Sequence, residues 1–194
     1  METAHIFDFK TRHPRRNLPV RIRRKRGESN FVSAFSRAYI AAIAPHGIGG
    51  SEFALSGFGI ADFVWLAWRQ SAANEDGTAL SVENIKSQLA LQKLTAFEMK
   101  LTDWRKGLAQ AYRYSYFADV AIVVLPTNAA KAAKVELKLF RELSVGLWSF
   151  DKATGKIRKL FTPRYAKPRN ADAKEKALTS LGHFLNLQLS KLGK

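Results

Sequence analysis

Short apolar runs, each interrupted by one or two charged residues, occupy the middle of the chain and predict strands. They cover 52–55, 59–68 and 94–101, and a tight reversal around Gly57 joins the first two. The same pattern predicts later strands at 119–125, 145–150 and 156–161, the last two joined by a hairpin turn. We expect the first three strands to pair as a meander.

Apolar residues at helical spacing predict helices in most of the remaining chain. These helices are expected at 29–44, 81–91, 104–117, 127–143 and 171–192. Suitable N-caps are Ser29 or Asn30 for the first helix, Thr102 or Asp103 for the third, and Thr127 for the fourth. Helices and strands therefore alternate along the chain, which favours an α/β fold.

The arrangement of these elements predicts one domain over 28–194 with a mixed sheet. Pro45 ends the first helix, and the glycines at 47–50 predict a loose turn before the meander. The apolar strand at 119–125 is typical of a strand covered on both faces. With the strand at 94–101 and the intervening helix it should form a right-handed βαβ unit with parallel strands. A hairpin and a helix complete the C-terminal part.

The net charge of the chain indicates which class of molecule it binds. The 194 residues carry a formal net charge of +16 and are 46% hydrophobic, so we expect a folded protein with a polyanionic partner. Residues 1–27 are predicted to form a basic N-terminal arm, because nine Lys/Arg and no acid lie from Lys10 to Arg26. The arm would lie along phosphates, and a solvated tail is the alternative. The predicted nucleic-acid-binding residues are Arg15, Arg16, Arg21, Arg23, Arg24, Lys25 and Arg26.

The composition also excludes several kinds of site. The chain has no cysteine, so it has no disulfide and no thiolate metal site. Its histidines are far apart and have no metal-ligand spacing.

No apolar run reaches ~20 residues, and no apolar signal core opens the chain. We expect a cytoplasmic protein, associated with the nucleoid in a bacterium, with no membrane partner and no haem or nucleotide cofactor.

One predicted strand, 94–101, carries the candidate chemistry. Because side chains alternate between the faces of a strand, Glu98 and Lys100 share one face and their apolar neighbours take the other. Asp62, the one acid of the preceding strand, would converge on Glu98 if the two strands pair. Two carboxylates suit a hard divalent cation, and a lysine suits a phosphate or a developing anion. The alternative is a surface Glu98–Lys100 pair with Asp62 in a turn.

These residues, in this order on apolar strands, resemble the PD-(D/E)xK nuclease superfamily, which includes many restriction endonucleases and the archaeal Holliday-junction resolvases. The resemblance covers 28–150. Its motifs are Ser56-Gly57 before Asp62, then Glu98-Met99-Lys100, and later Val145-Gly146-Leu147-Trp148. Ala61 stands where many members have proline. The resemblance implies a restriction-endonuclease-like three-layer core with the order helix–strand–strand–strand–helix–strand.

The resemblance also implies residue roles. The catalytic residues would be Asp62, Glu98, Lys100 and Gln110. Asp62 and Glu98 would hold the metal, together with the backbone carbonyl of Met99. Lys100 would position the attacking water or stabilise the transition state. Glu28 matches the accessory acid of the first helix, although its spacing is imperfect.

The expected function is Mg²⁺-dependent endonucleolytic cleavage of DNA, with Mn²⁺ as a substitute metal. One alternative is a non-catalytic nucleic-acid-binding protein with the same fold, and another is an RNA-binding protein of the ribosome-associated type. A homodimer is expected if two strands are cut, because paired cuts need two sites. The apolar stripe of the last helix would pack on the body or form the dimer face; it consists of Leu178, Leu181, Leu185 and Leu189. The shape and sequence of the DNA substrate stay open.

Overall fold

A computed structural model gives the structure of residues 5–8, 26–42, 47–67 and 93–192. Within these residues, seven strands form one sheet whose strand order follows the chain. The strands are β1 (His5–Asp8), β2 (Gly47–Leu55), β3 (Gly59–Ala67), β4 (Lys93–Met99), β5 (Val120–Pro126), β6 (Val145–Asp151) and β7 (Lys156–Phe161). The helices are α1 (Arg26–Ala42), α2 (Trp104–Tyr114), α3 (Thr127–Lys134), α4 (Leu137–Glu142) and α5 (Ala171–Leu192).

The pairing directions make the sheet mixed. β2, β3 and β4 form an antiparallel meander, whereas β4, β5 and β6 run parallel to one another. β1 pairs parallel with β2, and β7 pairs antiparallel with β6. The predicted α/β class, the meander and the parallel pairing of the strands around α2 are confirmed.

Helices cover both faces of the sheet, which gives three layers. On one face, α1 places Phe35 and Tyr39 against Phe97 of β4, with ring centroids 5.3 Å and 4.9 Å apart. On the other face, α2 to α5 each bury apolar side chains, among them Leu108, Ala130, Phe140 and Leu181. The central strands are therefore covered on both sides, which explains the continuous apolar run of β5.

The glycines at 47–50 belong to β2, so the predicted loose turn is wrong and the predicted strand at 52–55 begins earlier. The reason is the indole of Trp65, which lies against the β2 backbone. A Cβ built on Gly49 would lie 2.5 Å from Trp65 Cε3 and 2.6 Å from the Val64 carbonyl oxygen. Glycine is required here for close packing between paired strands, and local sequence cannot separate this need from that of a turn.

Two helix predictions also need correction. α1 begins at Arg26, so Ser29 and Asn30 lie inside the helix rather than at its N-cap. The single helix predicted at 127–143 is two helices, α3 and α4, and Pro126 rather than Thr127 is the N-cap residue of α3. The break lets Phe140 of α4 pack against Trp104 of α2, with ring centroids 5.9 Å apart.

Some sequence predictions fall outside the described residues or are only partly covered. The helix at 81–91 and Pro45 lie outside them. The sheet extends into the predicted arm, because His5–Asp8 pair with β2. Of the apolar stripe of α5, Leu178 and Leu181 pack on the body of the domain. Among the described helices, none combines the length and apolar character needed to cross a membrane.

Candidate active site

Asp62 lies where β3 stops pairing with β4. The last residues paired at this end are Phe63 and Phe97. One residue further on, the Asp62 carboxylate accepts a hydrogen bond from the backbone N–H of Met99, with Oδ2 2.7 Å from the nitrogen. The carboxylate thus takes the place of a strand carbonyl. An acid can therefore be buried within an apolar strand while the Met99 N–H keeps an acceptor.

Glu52 marks a bend in the β2–β3 hairpin. It stands across from Asp62, since the residues on either side of the two acids pair with each other. Its φ of 56° is a left-handed conformation that is uncommon for a residue other than glycine. Beyond Glu52, the rings of Phe53 and Phe58 lie 6.0 Å and 6.2 Å from that of Phe117, which follows the end of α2. Both acids are consequently buried.

Glu98 is fully buried at the end of β4, and both of its carboxyl oxygens have partners. The Lys100 ammonium donates to Oε1 at 2.5 Å, and the hydroxyl of Tyr114 lies 2.5 Å from Oε2. The sequence prediction that Glu98 and Lys100 share one face of the strand is therefore confirmed. Charge-assisted hydrogen bonds of this kind hold a side chain in a single orientation more firmly than neutral ones.

Tyr114 connects α2 to two strands of the site. Its hydroxyl oxygen lies 2.6 Å from the Ile60 carbonyl oxygen as well as 2.5 Å from Glu98 Oε2. A phenol has one proton to donate, whereas a backbone carbonyl and an ionised carboxylate can only accept. All three oxygens are satisfied when Glu98 is protonated and donates to Tyr114, which in turn donates to Ile60.

Tyr114→Phe is expected to lower the free energy of unfolding by about 1–3 kcal/mol, because it leaves the buried Ile60 carbonyl and Glu98 Oε2 without their partner. Urea denaturation measures the change. Tyr116→Phe, on the half-buried neighbouring tyrosine, is the matched control and should change stability little. Equal losses in the two variants would mean that the Tyr114 hydroxyl contributes nothing specific.

Burial raises the pKa of Glu98 from 4.5 to about 7, and the charge of Asp62 adds to this effect, while Lys100 and Tyr114 oppose it. Burial and the Glu98 charge likewise raise the pKa of Tyr114, which therefore stays protonated. For Lys100, burial acts to lower the pKa, but the charges of Glu98, Asp62 and Glu28 together raise it. The ammonium of Lys100 is thus retained at neutral pH, and Glu98 is the group that can change its protonation state there.

The raised pKa of Glu98 predicts stability that is lost as pH rises. The carboxyl ionises near pH 4.5 in the unfolded chain but keeps its proton to about pH 7 in the folded one. Its contribution is therefore complete below pH 4.5 and falls by roughly 3 kcal/mol by pH 7, because unfolding releases a proton in this window. Urea unfolding of the wild type should show this loss relative to Glu98→Gln. Parallel pH profiles for the two proteins would contradict it.

Helix α2 approaches the site closely because position 107 is glycine. A Cβ at Gly107 would lie 3.1 Å from Lys100 Cγ and 3.2 Å from Val123 Cγ1. α2 follows β4 in the chain. Its N-cap is Asp103, as predicted, and the Asp103 side chain accepts a hydrogen bond from the N–H of Lys106 at 3.0 Å. The absence of a side chain at position 107 therefore lets α2 lie close to the alkyl stem of Lys100.

The charge of Glu28 reaches this site, and Gln110 lies on the face of α2 that contacts Lys100 and Glu98 through Gly107 and Tyr114. The charge of Glu28 acts on Lys100, and a Cβ on the adjacent Gly27 would lie 3.3 Å from Leu101 Cδ1. Gln110 lies between Gly107 and Tyr114 on one face of α2, as the helical spacing dictates. Its Oε1 is buried and has no hydrogen-bond partner in the described part of the chain. An unpaired buried acceptor costs free energy unless a donor or a cation meets it.

The donors at the site fit a hard divalent cation. Two carboxylates, Asp62 and Glu98, and the unpaired Oε1 of Gln110 are oxygen ligands of the type that Mg²⁺ prefers. The described residues contain no group of three or more His, Cys, Asp or Glu side chains that could hold a metal ion. A metal ion held by Asp62 and Glu98 would need its further oxygen donors from amide or backbone carbonyls and water.

The remaining predicted site residues are only partly described. Met99 buries its side chain on the α1 face of the sheet and uses its N–H for Asp62. Arg26 is the first residue of α1. The other predicted nucleic-acid-binding residues lie outside the described residues: Arg15, Arg16, Arg21, Arg23, Arg24 and Lys25.

Sequence reasoning missed Glu52 and Tyr114. Glu52 had a usable signal, because it and Asp62 are equally far from Gly57 at the centre of the hairpin, so pairing sets the two acids opposite each other. Tyr114 had a weaker one, since it follows Gln110 by one helical turn. The direction in which α2 crosses the sheet decides its contact with Glu98.

No protein-family model, curated protein or solved structure matches this chain. The fold and the site therefore define the class by themselves: an α/β domain with a mixed sheet and a buried acidic site at the end of β4, in which a lysine pairs with one of two carboxylates.

Proposed function

We propose that the protein is a metal-dependent nuclease of the PD-(D/E)xK kind that hydrolyses DNA phosphodiester bonds. The observation that carries the proposal is the buried Glu98, held by Lys100 at 2.5 Å, with Asp62 on the adjacent strand close enough to raise its pKa. Strongly perturbed carboxyl groups with a specific charged partner are typical of functional sites.

The order of the elements adds support. α1, the meander of β2 to β4, α2 and the parallel strand β5 follow one another as the restriction-endonuclease-like core requires. Within that order the acids lie at the end of β4 and on the neighbouring β3. Three layers with a mixed sheet are shared by many unrelated proteins, so the site carries more weight than the fold.

In the proposed enzyme, Asp62 and Glu98 would hold a Mg²⁺ ion, for which Mn²⁺ is a substitute, and the Met99 carbonyl and Gln110 Oε1 would be further oxygen donors. A divalent ion supplies Lewis-acid stabilisation of phosphate charge and lowers the pKa of bound water. The chain itself supplies Lys100, whose ammonium is kept charged by the surrounding acids and can neutralise charge that develops on a phosphate oxygen. Glu28 strengthens the retention of that proton.

The proposed substrate follows from the charge of the whole chain. A net charge of +16 attracts a polyanion over long distances, and DNA is the polyanion that the site chemistry can cleave. The cytoplasmic location and the homodimer are parts of the same proposal. They rest on the composition of the sequence and on the need for two sites when both strands are cut.

A second candidate function is nucleic-acid binding without chemistry. It is favoured by one observation, the complete hydrogen bonding of Glu98, because both carboxyl oxygens already have partners in the folded chain. A buried Glu98–Lys100 pair could then serve only to fix the fold.

The deciding experiment incubates labelled linear duplex, single-stranded and four-way-junction DNA with the protein and Mg²⁺ or Mn²⁺, and then with EDTA. We expect cleavage with metal and none with EDTA, and the DNA shape cut fastest identifies the preferred substrate. Salt-sensitive binding of all three DNAs without any cleavage would reject the nuclease and leave the second candidate.

A further inference from the structure

The β6–β7 hairpin concentrates positive charge on the C-terminal part of the sheet. Four cationic side chains on it are exposed: Lys152, Lys156, Arg158 and Lys159. The only acid between residues 145 and 161 is Asp151. We propose that this hairpin is a phosphate-binding surface for the nucleic-acid strand engaged at the acidic site. The inference rests on the proposed function for the identity of that site.

Strand register relates the hairpin to the acidic site. Four paired residues form a line across the neighbouring strands β4 to β7. In order they are Met99, Val124, Trp148 and Lys159. Neighbouring strands lie about 4.8 Å apart, so β7 is roughly 14 Å from the site strand. β6 continues beyond Trp148 to Asp151. The hairpin turn therefore lies about 10 Å further along the strand direction than Met99, the last residue of β4.

The cations on the hairpin face different directions. Glu98, Val123 and Leu147 follow one another across the parallel strands on the face covered by α2. Arg158 pairs with Ser149, two positions after Leu147, so it lies on that same face. Lys159 lies on the opposite face, 5.0 Å above the Trp148 ring. The hairpin therefore presents charge on both faces and at its turn.

The turn itself is held by local hydrogen bonds. The Asp151 carboxylate accepts from the N–H of Ala153 at 2.9 Å, and Thr154 Oγ1 accepts from the N–H of Lys156 at 3.4 Å. Gly155 supplies the left-handed conformation with a φ of 72°. Because the turn is already ordered, binding a strand there costs less entropy than ordering a flexible basic loop.

The spacing suits a nucleic acid. Successive nucleotides of one strand advance about 3.4 Å along a duplex axis, so roughly 14 Å corresponds to about four nucleotides between the acidic site and β7.

Lysines on an edge strand also discourage edge-to-edge pairing between protein molecules, and this is the competing explanation for the cations on β7. Lys152 lies in the turn, outside the ladder, and edge protection does not account for it.

The test compares two triple variants that lose the same charge. One carries Lys152→Gln, Lys156→Gln and Arg158→Gln. The control carries Lys134→Gln, Arg164→Gln and Lys167→Gln, which are exposed and lie outside the hairpin. Binding of labelled duplex and single-stranded DNA is followed by fluorescence anisotropy in EDTA, between about 50 and 200 mM salt. Anionic phospholipid vesicles serve as a second polyanionic surface.

We expect the hairpin variant to bind DNA roughly 10- to 100-fold more weakly, with the slope of log K against log salt reduced by about 2–3, and the control to change far less. Equal losses in the two variants, or an unchanged hairpin variant, would overturn the inference. A loss seen only with vesicles would also overturn it. Binding is measured in EDTA, so the result holds even if the wild type cleaves no DNA. If the wild type cleaves DNA but the hairpin variant binds it normally, only the role of the hairpin is rejected, and the proposed nuclease stands.

Discussion

Lys100→Met is expected to reduce DNA cleavage by about 10²–10³-fold, because it removes the ammonium that would neutralise charge at the phosphate. Methionine keeps the alkyl stem on which Gly107 packs, so the shape of the site is preserved. Glu98 can stay buried in the variant, since its pKa is already raised to about 7 and a neutral carboxyl needs no counter-charge. Single-turnover cleavage with saturating Mg²⁺ measures the effect.

Asp62→Asn provides an independent test of the same site. An asparagine oxygen can still accept the hydrogen bond from the Met99 N–H, so the end of β3 keeps its place while the negative charge is lost. We expect a comparable loss of cleavage with little change in thermal unfolding. Lys106→Ala, on an exposed lysine of α2, is the matched control and should cut at the wild-type rate. Wild-type rates in both site variants would reject the assignment of the site.

The second large effect concerns stability. Asp119→Ala is expected to lower the free energy of unfolding by about 3 kcal/mol, because Asp119 is fully buried and serves two donors. Its Oδ2 accepts from the N–H of Leu94 and its Oδ1 from the ammonium of Lys174, both at 2.7 Å. Without the carboxylate, the buried N–H loses its acceptor and the lysine loses its counter-charge. Urea denaturation at neutral pH measures the loss.

Two further variants separate the contributions of Asp119. Asp119→Asn keeps an acceptor for the Leu94 N–H and should lose less stability than the alanine variant. Glu142→Ala removes an exposed pair with Lys138, whose atoms are 3.9 Å apart, and should cost no more than about 0.5 kcal/mol. If Asp119→Ala costs no more than Glu142→Ala, the buried pair is not a significant source of stability.

Local pattern was sufficient for most strands and for the acid–lysine pair. Alternation along β4 set Glu98 and Lys100 on one face, and the hairpin around Gly57 brought Asp62 next to that strand. The turn predicted at 47–50 failed because glycines that make room for a neighbouring indole look the same in sequence as glycines that make a turn. Only the packing of Trp65 distinguishes the two.

Long-range geometry accounts for what the sequence could not provide. The contact of Tyr114 with Glu98 depends on the direction in which α2 crosses the sheet, and no local spacing encodes it. The predicted helix at 127–143 is divided in the folded chain, where Phe140 of the second part packs against the distant Trp104. The burial of Gln110 Oε1 without a hydrogen-bond partner among the described residues is likewise a property of the folded chain. The resemblance to a nuclease family had indicated this residue, but not its environment.

The pair between Asp119 and Lys174 sets a lower limit on the size of an autonomous folding module. The region for which the sequence predicts a nuclease-like core ends at residue 150. Yet α5 supplies the counter-ion of Asp119, just before β5, and buries Leu181 in the same core as β5. The backbone N–H groups of Arg169 and Asn170 also donate to the carbonyls of Ser115 and Tyr116, just after α2. A fragment that stops at 150 would therefore lack part of its own interior, and the C-terminal segment belongs to the core of this domain.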